Sequence, residues 1–339
     1  MNEISSVPIS ILDLVPIAEG GSAADSFRNS IELARRAERL GYTRYWVAEH
    51  HSMPGIASAA TSVVIARIAS ETDSIRVGAG GIMLPNHAPL VIAEQFATLE
   101  AMFPGRIDLG LGRAPGSDRA TAHALRRTLD SDDFLLLLDE LEFFLKEPVA
   151  NQKVIAVPGG GGNVPLWLLG SSGFSAQLAA RRGLPFSFAA HFAPENLEAA
   201  LELYRSNFKP SPVLSKPYAM VAINVFAAES DSEAERLATS HQQSFINLLR
   251  GTPARIQPPV KDMDAIWTGP ERELVMSRMG GSLIGGPEKV TRELKSVIER
   301  TAADELMIHT LMYDNDARIR SYEIVLDIVK GTRAGSAAQ

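Results

Sequence analysis

The stretch PLVIAEQFATLEAMFPGRIDLGLG, residues 89–112, contains the pattern that decides the fold. Pro89 suits the first turn of a helix, and the apolar residues after it predict a helix to about Met102. Pro104-Gly105 ends this helix. The residues Ile107–Leu111 then predict a short strand that leads into a glycine-rich turn. The sequence thus predicts a helix that is followed, after a short break at Pro104-Gly105, by a strand.

The same alternation extends in both directions from this stretch, as is typical of parallel βαβ units. Eight segments are predicted as strands: Ile9–Leu14, Tyr45–Glu49, Ile75–Gly80, Ile107–Leu111, Leu166–Leu169, Pro185–Ala189, Tyr218–Ala228 and Glu305–Thr310. Eight units close a (β/α)8 or TIM barrel, which is the predicted α/β fold. An open doubly wound sheet is the alternative, although no glycine fingerprint follows the first strand. We expect one domain over residues 1–331 and a flexible tail at 332–339.

Two stretches interrupt the alternation. Residues 251–281 contain prolines at positions 253, 258, 259 and 270 and predict a long insertion before the last two helices. A loop of this length inside a domain is usually a functional lid or partly disordered. The glycine run at 159–162 is predicted to lie in a hairpin loop.

The composition excludes several classes of protein. The 339 residues contain no cysteine, so disulfides, zinc-thiolate sites and cysteine nucleophiles are ruled out. The net charge of −7 argues against nucleic acid or an anionic membrane as a partner. The first residues have no basic region before their apolar stretch, and the most apolar run, Phe134–Leu138, is too short to cross a bilayer. We expect a soluble, cytoplasmic protein.

In a barrel, functional side chains follow the carboxyl ends of the strands. The second predicted strand ends in Glu49-His50-His51. Consecutive residues of a strand face opposite ways, so His50 and His51 are poorly placed to bind one metal, and we predict no metal site. Histidine can move protons near neutral pH, which favours a catalytic role for His50 at this rim. A structural histidine that caps the strand is the alternative.

Two further strand ends predict a phosphate site. The fourth strand leads into Gly112-Arg113, and an arginine can bind phosphate oxygens with two hydrogen bonds. The fifth strand leads into Gly170-Ser171-Ser172-Gly173 and directly into a helix, whose free N–H groups favour an anion. Either feature alone has an ordinary explanation, a steric glycine turn or a serine N-cap. Together they predict that a cofactor phosphate binds between Arg113 and residues 170–172.

The remaining candidates lie at the ends of the third and sixth strands. Gly80-Gly81 allows a very close backbone approach, which suits a site under a flat ring, although a plain turn is the alternative. His191 follows the sixth strand and is expected at the same mouth, where it is a second catalytic candidate or a solvated loop residue.

With these strings in view, the chain resembles the bacterial luciferase-like flavin monooxygenases over nearly its whole length. The motifs that carry the resemblance are WVAEHH at 46–51, VGAGGIMLP at 77–85, PGRIDLGLGR at 104–113, GSSG at 170–173 and GPEKV at 286–290. The order and separation of the five strings, rather than any single one, make the resemblance specific.

This resemblance implies a barrel, often dimeric, that uses reduced FMN or the deazaflavin F420. It places Glu49 and His50 beside the flavin, Arg113 and residues 170–172 at its phosphate, and a non-proline cis peptide at Gly80-Gly81. It also places a mobile lid at 251–281. Gly112 stands where luciferase has a reactive cysteine near the flavin, and this departure argues against light emission.

The resulting functional hypothesis is a two-component monooxygenase. Reduced FMN arrives from a separate NAD(P)H:flavin reductase, since the chain has no nicotinamide-binding fingerprint. One oxygen atom of O2 passes to a small organic substrate while His50 gives or takes a proton. Two alternatives remain: an F420-dependent hydride-transfer oxidoreductase, and a flavin-binding protein without turnover.

Overall fold

The computed structural model describes residues 4–113, 119–125, 134–159 and 163–331. Within these ranges the strands are β1 (Ile9–Asp13), β2 (Arg44–Val47), β3 (Arg76–Met83), β4 (Ile107–Gly112), β5 (Leu166–Gly170), β6 (Phe186–Ala189), β7 (Ala219–Ala227), β8 (Leu283–Gly285) and β9 (Glu305–His309). The described helices are α1 (Ala23–Leu40), α2 (Thr61–Ala69), α3 (Pro89–Met102), α4 (Arg119–Ala124), α5 (Phe134–Leu145), α6 (Gly173–Arg182), α7 (Leu197–Ser206), α8 (Asp231–Leu249), α9 (Gly269–Arg278), α10 (Pro287–Thr301) and α11 (Asn315–Lys330). The predicted tail at 332–339 lies outside the described residues.

The parallel strands close into a barrel. Their order is β6-β5-β4-β3-β2-β1-β9-β7, and β6 also pairs with β7, with Phe186 opposite Ala219. This last pairing leaves the eight-stranded sheet without a free edge. The predicted (β/α)8 barrel is therefore confirmed, and the open doubly wound sheet is wrong. The eight barrel strands are the eight segments that the sequence predicted.

Alternation of side chains along each strand produces two separate apolar cores. On β2, Tyr45 and Val47 face outward into the large core between the sheet and the helices. Trp46 faces inward and packs with Leu12 and Trp167 inside the barrel. The interior is thus filled with side chains, so small molecules have access only at its ends.

A buried charged network fills the amino-terminal end of the barrel. Arg44 donates hydrogen bonds to Asp108 at 2.7 Å and to Glu305 at 2.8 Å, and Trp46 Nε1 donates to Asp108 at 3.0 Å. These groups leave little room at this end. The open mouth of the barrel is consequently at the carboxyl ends of the strands, as in other (β/α)8 proteins.

The insertion at 251–281 is more ordered than the sequence indicated. It contains α9, whose N-terminus has a capping box between Thr268 and Glu271 and a proline in the first turn. Both are helix-start signals that the surrounding prolines obscured. The short strand β8, which was not predicted, follows and pairs with β7. Met279 and Val275 of this segment pack in an apolar cluster with Phe226 and Leu237.

The hairpin loop predicted at residues 159–162 lies mostly outside the described residues, which exclude 160–162. No described helix has the length and apolar character that a bilayer crossing requires.

Candidate active site

The carboxylate of Glu49 organises the rim where β2 ends. Glu49 is buried, and its oxygens lie 2.7 Å from His51 Nε2 and 2.9 Å from His87 Nε2. The backbone N–H of Met83 donates to it at 2.9 Å. Burial raises the pKa of Glu49, but the hydrogen bonds from His87 and His51 outweigh it, so the pKa lies below its usual value. The group is therefore an ionised acceptor at neutral pH.

The same three side chains form the one group of possible metal ligands found in the described part of the chain. The ligand atoms of Glu49, His51 and His87 all lie within 4.8 Å of one another. Sequence reasoning considered only the pair His50 and His51 and missed His87, which comes from the loop after β3. Because the contacts to Glu49 are at hydrogen-bond distance, they account for this arrangement without an ion. The predicted absence of a metal remains a prediction.

His50 and His191 belong to one electrostatic neighbourhood at the mouth. Burial lowers the pKa of His50, and the charge of Glu49 opposes this only partly. Burial, followed by the proximity of His50, lowers the pKa of His191 to about 4. Both imidazoles are therefore neutral at pH 7.

Two more histidines extend this neighbourhood into the barrel. The ring of His309, the last residue of β9, lies 5.6 Å from that of His191 and 5.8 Å from that of His241 on α8. His309 and His241 are both buried. Sequence reasoning missed them, although the end of β9 follows the same rim rule that identified His50. Nothing in the pattern of α8 marks His241.

Two consecutive glycines, Gly80 and Gly81, lie in the second half of β3, so the backbone has no side chains there. The peptide bond between Gly80 and Gly81 is cis, which is what the family resemblance implied. A Cβ on Gly81 would lie 2.7 Å from the carbonyl oxygen of Gly110, and one on Gly80 would lie 2.8 Å from Leu12 Cδ1. Only glycine allows this approach, so main chain rather than side chain forms this part of the rim. The backbone N–H of Glu49 donates a hydrogen bond to the carbonyl oxygen of Gly81 at 3.3 Å.

Arg113 lies beside the turn that begins α6. Gly112 of β4 pairs with Leu169 of β5, so the residues after them leave the barrel side by side. The Arg113 guanidinium carbon is 4.2 Å from the ring centroid of Phe174, in the first turn of α6. This is a close cation–π contact, which holds the guanidinium at the helix N-terminus. The neighbouring residues 114–118 lie outside the described ranges.

The start of α6 has the features of an anion site. Ser172 is the N-cap residue with extended backbone, φ −148° and ψ 173°, and its side chain makes no capping hydrogen bond within the described ranges. Gly170 is required because a Cβ there would lie 2.5 Å from the side chain of Ser175. The free N–H groups in the first turn of α6 therefore lie near the Arg113 guanidinium, which packs on Phe174 of the same turn.

The fold and these rim residues define a (β/α)8-barrel protein whose candidate site residues gather at the carboxyl ends of the strands, the arrangement of barrel enzymes. The model of the family described as luciferase-like monooxygenase matches residues 7–305. The chain belongs to this family.

Curated relatives cover nearly the full chain. A Bacillus subtilis protein named YvbT is 54% identical over 332 residues, covering 97% of this chain and 98% of its own. An Escherichia coli K12 protein named luciferase-like monooxygenase is 53% identical over 325 residues, covering 95% and 97%. The N-acetyl-S-alkylcysteine monooxygenase of Bacillus subtilis is 31% identical over 329 residues, covering 95% and 98%.

Solved structures show the same fold. Apo-MsnO8 has a TM-score of 0.85 and 35% identity, covering 95% of this chain and 98% of its own. The oxygenating constituent of 3,6-diketocamphane monooxygenase from Pseudomonas putida, in complex with FMN, has a TM-score of 0.74 and 18% identity, covering 96% and 98%. An F420-dependent secondary alcohol dehydrogenase has a TM-score of 0.69 and 16% identity, covering 96% and 99%. The last two support the fold alone.

Proposed function

We propose that this protein is a flavin-dependent monooxygenase that oxygenates a small organic substrate with O2 and reduced FMN, the latter supplied by a separate NAD(P)H:flavin reductase. The proposal depends on the position of Arg113 at the N-terminus of α6, where its guanidinium carbon lies 4.2 Å from the centroid of the Phe174 ring. Family membership and a relative named as a monooxygenase support the same reaction class.

The site formed by Arg113, Ser171, Ser172 and the N-terminus of α6 fits a phosphate monoester. Among the described residues no carboxylate forms a salt bridge with Arg113. Its guanidinium packs on the ring of Phe174 instead. The uncapped N-terminus of α6 and the Ser171 and Ser172 hydroxyls provide further donors. A guanidinium, a helix N-terminus and hydroxyl groups together form a typical phosphate site.

The remainder of the cofactor would lie across the mouth towards β3 and β2. Gly80 and Gly81 are partly exposed and have no side chains, so a flat ring could approach their main chain. His50 follows Glu49, whose N–H donates to the carbonyl oxygen of Gly81, and it is neutral at pH 7, so it can take or give a proton at its ring nitrogens. Glu49 holds the loop that carries His50. A bound reduced flavin supplies the electrons with which O2 is activated.

An anaerobic titration with reduced FMN tests this proposal. We expect the wild-type protein to bind it, and Arg113→Ala to weaken binding about 10- to 100-fold, because a charge-assisted phosphate contact is lost. Arg39→Ala is the matched control, since Arg39 is exposed in the last turn of α1 at the other end of the barrel. Equal affinity of all three proteins would refute the assignment of the phosphate site.

F420 also contains a phosphate that could bind at this site. A titration with reduced F420 under identical conditions shows which of the two cofactors the protein binds. Consumption of O2 that depends on substrate supports the monooxygenase. Substrate oxidation that needs F420 and no O2 supports a hydride-transfer oxidoreductase instead. Binding of reduced FMN without any turnover of a substrate panel would indicate a flavin-binding protein.

We further propose that the protein forms a homodimer through the outer face of α5. This helix buries Phe134, Leu138 and Leu141, yet also exposes Leu136 at 67% and Phe143 at 45%. Exposed apolar side chains on one helix favour contact with a second copy. Sedimentation equilibrium of the wild type and of Leu136→Glu tests this, and a wild-type monomer at micromolar concentration would refute it.

A further inference from the structure

Residues from several strand ends meet at the mouth of the barrel, where His50 lies close enough to help lower the pKa of His191 and of His309. The proposed cofactor contacts lie along β2 to β5, through His50, Gly80-Gly81 and Arg113. The strand order places β6, β7 and β9 on the other side. His191 and His309 come from the ends of β6 and β9, and His241 reaches them from α8. These three histidines are candidates for contact with the substrate, an inference that rests on the proposed function.

Several nitrogens of these imidazoles are buried without a partner. His191 Nδ1 and both ring nitrogens of His241 make no hydrogen bond within the described residues. His241 itself is 6% exposed. Burying a polar nitrogen without a partner costs free energy, and such groups in native proteins usually bind a ligand or water.

The third imidazole is held in a fixed orientation. Asn224 Nδ2 donates to the carbonyl oxygen of His191 at 2.7 Å, so its Oδ1 faces His309 Nδ1 at 2.8 Å. His309 Nδ1 therefore carries the proton that it donates to Asn224. Its Nε2 becomes a donor only when the ring takes up a second proton.

Burial lowers the pKa of all four imidazoles, so at pH 7 they are neutral. The groups that act on His309 are His191, His241, Arg318 and His50, all of which are cationic when protonated. Asp13 is already paired with Arg318 at 2.5 Å. Burial, and then His191, lowers the pKa of His241 to about 4. An anionic ligand would favour protonation of these neutral imidazoles.

We propose that His191, His241 and His309 bind the carboxylate of the organic substrate. Two carboxylate oxygens can accept from two imidazole N–H groups at once. The walls beside them are aromatic, with Phe226 and Phe245 at 5.4 and 5.6 Å from the His241 ring. The substrate is thus a small organic acid with an apolar portion and is bound with uptake of protons. N-acetyl-S-alkylcysteines, named for the Bacillus relative, carry one such carboxylate.

Isothermal titration calorimetry of the flavin-free protein tests this assignment. The probes are N-acetyl-S-methylcysteine, its uncharged carboxamide, and straight-chain alkanoates of two to eight carbons, at pH 6.5. We expect at least one acid to bind, and the carboxamide of any acid that binds to have at least tenfold weaker affinity. Titration in PIPES and in Bis-Tris, which both buffer at this pH and differ in ionisation enthalpy, should show proton uptake. Equal affinity for acid and amide, or no binding of any acid at 10 mM, overturns the proposal.

Variants assign the binding to these residues. His241→Phe places an apolar ring in an aromatic environment and should weaken acid binding at least tenfold. His191→Asn should have the same effect, and its position is less buried than that of His241. His123→Phe, exposed on α4, is the matched control and should bind as the wild type does. Unchanged binding by both site variants overturns the assignment. Because His241 lies away from the cofactor contacts, reduced FMN should bind His241→Phe normally, so failure of this inference is distinguishable from failure of the proposed function.

Discussion

The backbone N–H of Met83 donates a 2.9 Å hydrogen bond to Glu49 Oε2 and so joins the end of β2 to the end of β3. The same carboxylate accepts from His51 and His87. One buried charge thereby fixes the loop with the candidate catalytic His50 relative to the glycine main chain on the next strand.

Replacing Glu49 by alanine should destabilise the protein. The change leaves the Met83 N–H and two imidazoles without their acceptor, which costs about 2–4 kcal/mol of unfolding free energy. Because the folded-state pKa of Glu49 is lowered, its contribution is complete above pH 4.5 and is lost as the pH falls further. Urea unfolding at pH 7 measures the loss, with Glu299→Ala on exposed α10 surface as control. Equal stability of the two variants would contradict this role.

His50→Gln should lower turnover about 10²- to 10⁴-fold, the usual contribution of a positioned proton donor or acceptor. Burial lowers the pKa of His50 below 6.5, so the acid limb of the wild-type pH profile of kcat/KM should fall below pH 6.5. The limb should be absent in the variant. Binding of reduced FMN should persist, which separates chemistry from binding. Full turnover in the variant would remove His50 from the mechanism.

Gly110→Ala should prevent normal folding or strongly destabilise the barrel. An added Cβ would lie 2.2 Å from the carbonyl oxygen of Ala79 on the neighbouring strand, and the backbone cannot move without breaking the β3–β4 pairing. We expect a loss of at least about 3 kcal/mol. Gly269→Ala is the control, since its Cβ would meet no atom within 4 Å. Thermal melting compares them, and similar melting temperatures would refute the close approach.

Arg44→Met should destabilise the protein by about 3–5 kcal/mol, because it removes the cation between the buried carboxylates of Asp108 and Glu305. Arg44→Lys should recover only part of this, since an ammonium group cannot bind both carboxylates in the same planar geometry. Urea unfolding provides the measurement. If Arg44→Met matched the wild type, the network would be energetically neutral.

His241→Phe should make stability less dependent on pH. Burial holds the folded-state pKa of His241 at about 4, below the unfolded value near 6.5. As the pH falls from 6.5 towards 4, the unfolded chain binds a proton that the folded protein does not, and up to about 3 kcal/mol of stability is lost. Urea unfolding at pH 7.5, 6 and 5 should show a smaller fall in the variant. An identical fall would mean that His241 is protonated in the folded protein.

The sequence was most informative where a short-range signal determines structure. The Pro104-Gly105 stop and the strand after it were predicted from local rules, and the observed strand, Ile107–Gly112, differs by one residue. The helix α9 was missed because its capping box lies among prolines, although each signal is also local. His87 and His309 were missed for another reason: their neighbours in space are remote in the chain.

By itself, then, the sequence determined the order of strands and helices, the glycine-rich turns and the position of Glu49, His50 and Arg113 at strand ends, because periodicity and turn chemistry depend on near neighbours. The tertiary structure alone decided that β6 pairs with β7 to close the sheet, that Arg113 lies on Phe174, and that four histidines gather at one mouth. Those relationships join residues far apart in the chain, and only closure of the barrel brings the strand ends together.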